Sequence, residues 1–437
     1  MPRFTDNSKA PAFLHRIAEV YVNYRDRHAN HPITRGLVPA LTVCPVGART
    51  KAGACEHILT TMQRRKLVLM TVLALGCYRS PLLGRSPNGG TPDDGTVPSG
   101  GSEPVASGQF SPGALALDEG NVYWLNLGTR DPPFGDWRHS SVMKCSKNGC
   151  SKGPTTLVHG RTSLSARQPA FATDGSYVYW SDGGPDISDN IYAPSGGILR
   201  CRISGCGNVP QLVTSAPATG LAVGGSSLFL THDAPKVDVY PTSGAESPSA
   251  DLWSGCPSCH DYSIAIAADR TDVFWTTTTD VMRCAQTGCA GSPSLLLPSS
   301  PPILSLGPIA LDGGNVYFGH GAFDVGHFRP GEILACPTSG CDGSPRTVAT
   351  DLPPSWNLAT DGIDVYWSQT GDDPSSGGQT GMVRRCPVSG CAGEPETIAS
   401  GIRGWIAVAV DATFVYWTDA GEDDRSAAGR IWRMPKS

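Results

Sequence analysis

The chain has 437 residues, 17% of them charged, with 52 Gly, 37 Pro and 15 Cys. That length allows a substantial core, the Gly and Pro load favours many short strands joined by turns, and so many cysteines argue against an ordinary cytosolic protein and for an oxidising compartment. The formal net charge of −5 is uneven: residues 1–76 carry 11 Lys+Arg against 4 Asp+Glu, leaving 23 against 35 for the rest, which argues against nucleic acid as a partner and suits cations or basic surfaces.

Residues 62–77, "MQRRKLVLMTVLALGC", join consecutive basic residues to a short apolar run and small residues ahead of a cysteine. This is the layout of a secretory signal, and the run is too short to span a bilayer comfortably. Its ending resembles the lipobox of bacterial lipoproteins, a resemblance that implies cleavage before Cys77 and acylation of its thiol. A signal works poorly behind 61 residues, so translation is expected to begin at Met62. Residues 1–61 then form a non-native upstream extension, and Cys44 and Cys55 never enter the mature protein. The alternative is a genuine N-terminal segment with an amphipathic helix built on Phe13, Ile17, Val20 and Tyr24. Residues 78–102 are rich in Pro, Gly and Ser without periodicity and read as a flexible tether.

From residue 103 the chain repeats itself. Seven times an aliphatic strand reaches a turn and a second strand with an aromatic follows. The turn carries Asp118, Asp174, Gly224, Asp269, Asp312, Asp361 and Asp411, and five residues on stand Tyr123, Tyr179, Phe229, Phe274, Tyr317, Tyr366 and Tyr416. Two residues before each turn position is an alanine: Ala116, Ala172, Ala222, Ala267, Ala310, Ala359 and Ala409. Third strands ("GGILRC", "GEILAC", "GMVRRC") and fourth strands ("TTLVHG", "ETIASG") complete each unit. A period near 50 residues with four strands predicts a β-propeller, all-β, with antiparallel blades. The alanines fit the innermost strand, where larger side chains would collide.

The last copy stops after its third strand, whereas "EPVASG" at 103–108 matches the fourth strand "PETIASG" at 395–401. The N-terminal strand is therefore expected to complete the last blade and leave no open sheet edge there. Seven motifs predict seven blades over residues 103–437. At "FVYWTDAG" (414–421) and "YVYWSDGG" (177–184) the repeat resembles the YWTD, or LDL-receptor class B, propellers. That resemblance implies extracytoplasmic ligand binding by a rigid disc with no catalytic residues, and it makes six blades the alternative count.

Five cysteine pairs share one spacing: Cys145 with Cys150, Cys201 with Cys206, Cys284 with Cys289, Cys336 with Cys341, and Cys386 with Cys391. Each lies where the third strand turns into the fourth, a short hairpin whose Cα separation suits a disulfide. The third copy has lost both members together, with Tyr240 and Ala245 in their places, and the seventh has Met434. Joint loss is what mutual pairing predicts. A metal reading would need about four converging ligands, and these pairs belong to separate blades. The remaining pair, in "CPSCH" (256–260), reads as a structural disulfide between Cys256 and Cys259. The same string fits the attachment signature of a c-type haem or a thiol redox motif.

In a propeller the connections into the first strand and between the second and third share one face. Here those are the long, irregular segments, and variable loops on a stiff scaffold are where binding usually resides. The candidate binding face comprises Phe134, Trp137, Tyr192, Phe323, Phe328, Asp372 and Asp423. Acids in Gly-rich loops also make plain solvated turns, and calcium is a further option for them. Two functions follow: a monomeric envelope module, lipid-anchored or secreted, that engages an envelope protein, peptide or glycan; or a metal-dependent hydrolase or lyase using His232, His260, His320 and His327. No mechanistic motif supports the enzyme. No cofactor is expected.

Overall fold

The computed structural model describes residues 101–436 except 131–136, 139, 151, 160–169, 183–196, 233, 246, 256–264, 298–305, 321–322, 325–326, 329–330, 354, 370–380, 405 and 422–426. The expected upstream extension, signal, Cys77 and tether lie outside the described residues.

Seven four-stranded antiparallel sheets follow one another. In blade one the strands are Pro112–Leu117, Asn121–Asn126, Ser141–Ser146 and Thr155–His159. Blades two to six occupy 171–214, 220–254, 265–297, 306–352 and 355–402 in the same order. Blade seven takes three strands from 408–435, and its outer strand is Glu103–Gln109, paired with Gly429–Pro435. The inner strands of successive blades touch in sequence, and that of blade seven returns to blade one. The ring is closed by its own beginning, and it has seven blades rather than six.

Every sheet is covered on both sides, so the second strands are apolar on both faces instead of alternating. Val122, Tyr123 and Trp124 are all fully buried, as are Val365, Tyr366 and Trp367. One face of each blade packs on the opposite face of the next. Tyr123, Leu125 and Val142 of blade one meet Val178, Trp180 and Leu199 of blade two. Tyr416 and Ile431 of blade seven meet Val122, Trp124 and Met143 of blade one, together with Val105 from the closing strand. Truncating one such tryptophan to alanine removes packing worth about 3–5 kcal/mol.

The register is constant around the ring. Each repeat alanine sits opposite its aromatic, from Ala116 and Tyr123 to Ala409 and Tyr416. Val122, Val365 and Val415 sit opposite the first cysteine position, held by Cys145, Cys386 and Met434. The same position in blade three is Tyr240, opposite Leu228. Tyr240 is 3% exposed, so its ring fills the volume that a disulfide occupies elsewhere.

Each third-to-fourth-strand hairpin also leans on the outer strand of the preceding blade. The Cys391 N–H donates to the Val348 carbonyl (3.0 Å), the Ala245 N–H to that of Val213 (2.9 Å) and the His159 N–H to Asn208 Oδ1 (2.8 Å). These bonds occupy groups that an exposed edge strand would offer to another chain.

Candidate functional site

The two faces of the disc are built differently. On the turn face, six first-to-second-strand turns use the repeat aspartate in the same way. Asp118 Oδ1 accepts from the Gly120 N–H (2.8 Å) and the Asn121 N–H (2.6 Å), while the Tyr123 hydroxyl donates to Oδ2 (2.6 Å). Tyr179 with Asp174 and Tyr317 with Asp312 repeat the bond at 2.7 Å, and Tyr416 with Asp411 at 3.1 Å. In blade six Asp361 keeps its backbone bonds but turns to Lys436, and the Tyr366 hydroxyl reaches Asp364. Blade three has Gly224, where a side chain would run into the Gln286 amide of blade four.

Burial works against ionisation of Asp118, but the Tyr123 hydroxyl and the neighbouring amides outweigh it and hold the carboxyl below its usual range. Asp312 is lowered in the same way. Burial and the Asp312 partner push the Tyr317 phenol up to about 12, so it stays a donor at neutral pH. These acids fold the turns.

On the opposite, loop face the hydroxyl after the second-strand tryptophan ties the first strand's lead-in in blades two, four and seven. Ser181 Oγ accepts from the Ala170 N–H (3.1 Å), Thr276 Oγ1 from that of Ala265 (3.2 Å) and Thr418 Oγ1 from that of Ala407 (2.8 Å). This explains the hydroxyl in "YWSD" (179–182) and "YWTD" (416–419), a signal present in the sequence but unread. Above this layer two short ribbons extend from second-to-third-strand loops. In blade one Thr129–Arg130 pairs with Trp137–Arg138, and in blade five Phe323–Asp324 pairs with His327–Phe328. Trp137 therefore stands opposite Arg130, and Phe323 opposite Phe328. Three of the expected binding residues thus sit on paired backbone at the loop face. Phe134, Tyr192, Asp372 and Asp423 lie outside the described residues.

The four histidines do not form a described cluster. His232 ends the second strand of blade three, with Nδ1 2.6 Å from the Pro217 carbonyl and Nε2 3.1 Å from Asp238 Oδ2. Lys236 reaches the other oxygen of Asp238 at 2.9 Å. Asp238 is buried, yet His232, Asp251 and Lys236 together keep its carboxyl below the usual range. His320 ends the second strand of blade five, two blades away, with Nδ1 3.9 Å from Glu332. Burial holds its imidazole below the ordinary value against the pull of Glu332. His327 lies in the blade-five ribbon, and His260 is outside the described residues, as are Cys256 and Cys259. Among the described residues no three His, Cys, Asp or Glu side chains converge as a metal ion would require.

All five repeat cysteine pairs are bonded as the spacing predicts: Cys145 to Cys150, Cys201 to Cys206, Cys284 to Cys289, Cys336 to Cys341, and Cys386 to Cys391, with Cα–Cα separations of 5.2–5.5 Å. The two members of a pair have different surroundings. The first cysteines are buried in their sheets, whereas Cys150, Cys206, Cys289, Cys341 and Cys391 are half-buried in the hairpins. Each second cysteine packs back on the preceding blade: Cys289 Sγ lies 3.4 Å from the Leu252 carbonyl, Cys341 Sγ 3.5 Å from that of Leu296, and Cys150 joins the apolar cluster shared with Tyr416 and Ile431. Their role is structural. They staple the rim and belong to neither the loop face nor a metal centre.

A rim groove of about 440 Å³ between the outer strand of blade one and the hairpin of blade two is lined by Lys144, His159, Ser204, Cys206 and Asn208 among others. Lys144 is already spent there, donating to the Ile203 carbonyl at 3.1 Å.

The chain matches no protein-family model and no curated protein. Solved structures similar to it include the WD40 domain of Pan2 from Neurospora crassa, at 10% identity over 78% of this chain and 98% of that one, with a TM-score of 0.49. BamB from Moraxella catarrhalis is similar at 10% identity over 78% of this chain and 100% of that one, with a TM-score of 0.41. Likeness at this level carries no functional argument. The propeller assignment rests on the sheet order and the closed ring.

Proposed function

We propose that this chain is an extracytoplasmic, lipid-anchored propeller that binds an envelope protein, peptide or glycan on its loop face, as a monomer and without catalysis. The observation that carries this reading is the contrast between the faces. Turn-face aspartates bond the backbone of their own turns, whereas on the loop face two ribbons carry Trp137, Phe323 and Phe328 in their paired strands. Aromatic residues are enriched at the centres of macromolecular interfaces, and paired backbone loses less conformational entropy on binding than a free loop. Five disulfides favour an oxidising compartment. The signal-like segment ending at Cys77 and the resemblance to YWTD repeats point to the same place.

The test immobilises the 103–437 domain and recovers partners from envelope extract. Trp137→Ala and Phe328→Ala variants should lose a partner that a turn-face control, Arg270→Ala, retains. Loss with the control and retention by both loop-face variants would assign binding to the other side of the disc.

A further inference from the structure

A second repeated device runs around the rim. The third-strand residue just before the first cysteine position is basic in five blades: Lys144, Arg200, Arg283, Arg385 and Arg433. It stands opposite the second-strand aromatic, as Lys144 does to Tyr123 and Arg283 to Phe274. From there Lys144 donates to the Ile203 carbonyl in blade two (3.1 Å), and Arg283 to that of Thr338 in blade five (3.0 Å). Arg200 reaches the Thr242 carbonyl in blade three, and Arg433 reaches that of Lys147 in blade one across the closure. Every acceptor lies two residues beyond the first cysteine position of the following blade. Blade five has Ala335 at the donor position, and its cross-strand neighbour Arg346 makes the bond to Val388 instead. Between blades six and seven, the Lys436 ammonium lies 2.5 Å from Asp361. Six of the seven interfaces therefore carry a charged link.

The interface between blades three and four is different. Val239 occupies the donor position, and among the described residues no cation makes the corresponding bond to the Gln286 carbonyl. Gln286 turns its amide back to the Asp269 carbonyl of its own blade (2.6 Å). This interface also buries Trp275 completely, and among the described residues its indole N–H has no acceptor. The indoles of Trp124 and Trp367, by contrast, donate to Gln109 (2.9 Å) and Gln369 (3.0 Å). A buried donor without an acceptor subtracts from stability. Blade three also lacks the hairpin disulfide. It is tied to blade two by Arg200, whereas what joins it to blade four is chiefly apolar: Phe229, Val237 and Leu252 against Val273, Trp275 and Met282.

We infer that the ring has one weak seam, between blades three and four, and that local opening of the native disc begins there. Opening frees Ala234–Pro241 and Ala250–Ser254 and lets water reach the Trp275 indole.

Hydrogen–deuterium exchange on the full, oxidised chain tests this. Peptides covering 236–240 and 250–254 should exchange faster than their counterparts at 333–336 and 346–352 in blade five. Val239→Arg supplies the missing donor and should slow that exchange about tenfold, the factor that about 1.4 kcal/mol makes in an equilibrium constant. Lys144→Val removes a link elsewhere and should speed exchange of the blade-one outer strand, which keeps the inference testable if the arginine variant does not fold. Uniform exchange across blades, or earliest exchange at the 103–109 closure, would overturn the inference. So would a folded Val239→Arg variant that exchanges like the parent, or a Lys144→Val variant that leaves its seam unchanged.

Discussion

Restoring the absent disulfide in blade three tests whether six rim hairpins share one geometry. Gly244 has φ 99° and its N–H bonds the Pro241 carbonyl at 2.9 Å; in blade five Gly340 has φ 114° and bonds Pro337 at 2.9 Å. The double change Tyr240→Cys with Ala245→Cys should therefore oxidise without backbone movement. Closing this short loop stabilises by about 2 kcal/mol in the chain-entropy model. Removing the buried phenol costs about 3 kcal/mol, at the low end for large aromatic truncations because cysteine is bigger than alanine. The oxidised variant should thus be about 1 kcal/mol less stable than the parent, and that deficit should grow by about 2 kcal/mol when both proteins are reduced. Denaturant midpoints in the two redox states, with thiol titration, measure this. A folded variant showing two extra free thiols under conditions that keep the parent pairs oxidised would refute the shared geometry.

Other outcomes follow from the same contacts. Tyr317→Phe deletes the hydroxyl bond to Asp312 while keeping the ring, and should cost about 1 kcal/mol in thermal or denaturant melts. With Asp118, Asp312, Asp361 and Asp411 all held below the ordinary carboxylate value, their stabilisation is complete above about pH 4 and is lost as pH falls through their folded values. Melting temperature against pH should show that acid limb, and it should shrink in Asp312→Asn. His320 is held low by burial, so stability should also decline as pH falls below about 6.5, and His320→Gln should flatten that part of the profile. In a bacterial host, Cys77→Ser should abolish incorporation of labelled fatty acid; continued labelling would rule out lipidation at that thiol.

The propeller was legible because each repeat serves as a reference for the others. The alanine-to-aromatic spacing, the matching of residues 103–108 to a fourth strand and the joint loss at Tyr240 and Ala245 compare positions within one chain. The structure places all three as the spacing predicts, and it settles the count at seven. The purpose of the aspartate at the turn was less visible, since its hydroxyl donor lies five residues away on another strand. The cation before the first cysteine of blades one, two and four was also on view in "MKC", "LRC" and "VMRC". Its partner is a backbone carbonyl in the next blade, and a carbonyl leaves no mark on residue identity. For the same reason the seat of Cys289 and Cys341 against the Leu252 and Leu296 carbonyls could not be read from their spacing. The orphaned Trp275 indole is equally invisible in sequence, because an absent acceptor has no signature. Loop-face residues such as Trp137 and Phe328 obey no repeat at all, which is why sequence could nominate the face but not its ligand.

Non-reducing peptide mapping of the protein from its native host bears most directly on the central claim of a stapled ring working outside the cytosol. The account predicts five linked pairs, each joining cysteines five residues apart within a single blade. Free thiols at those ten positions, or bonds that cross between blades, would contradict it.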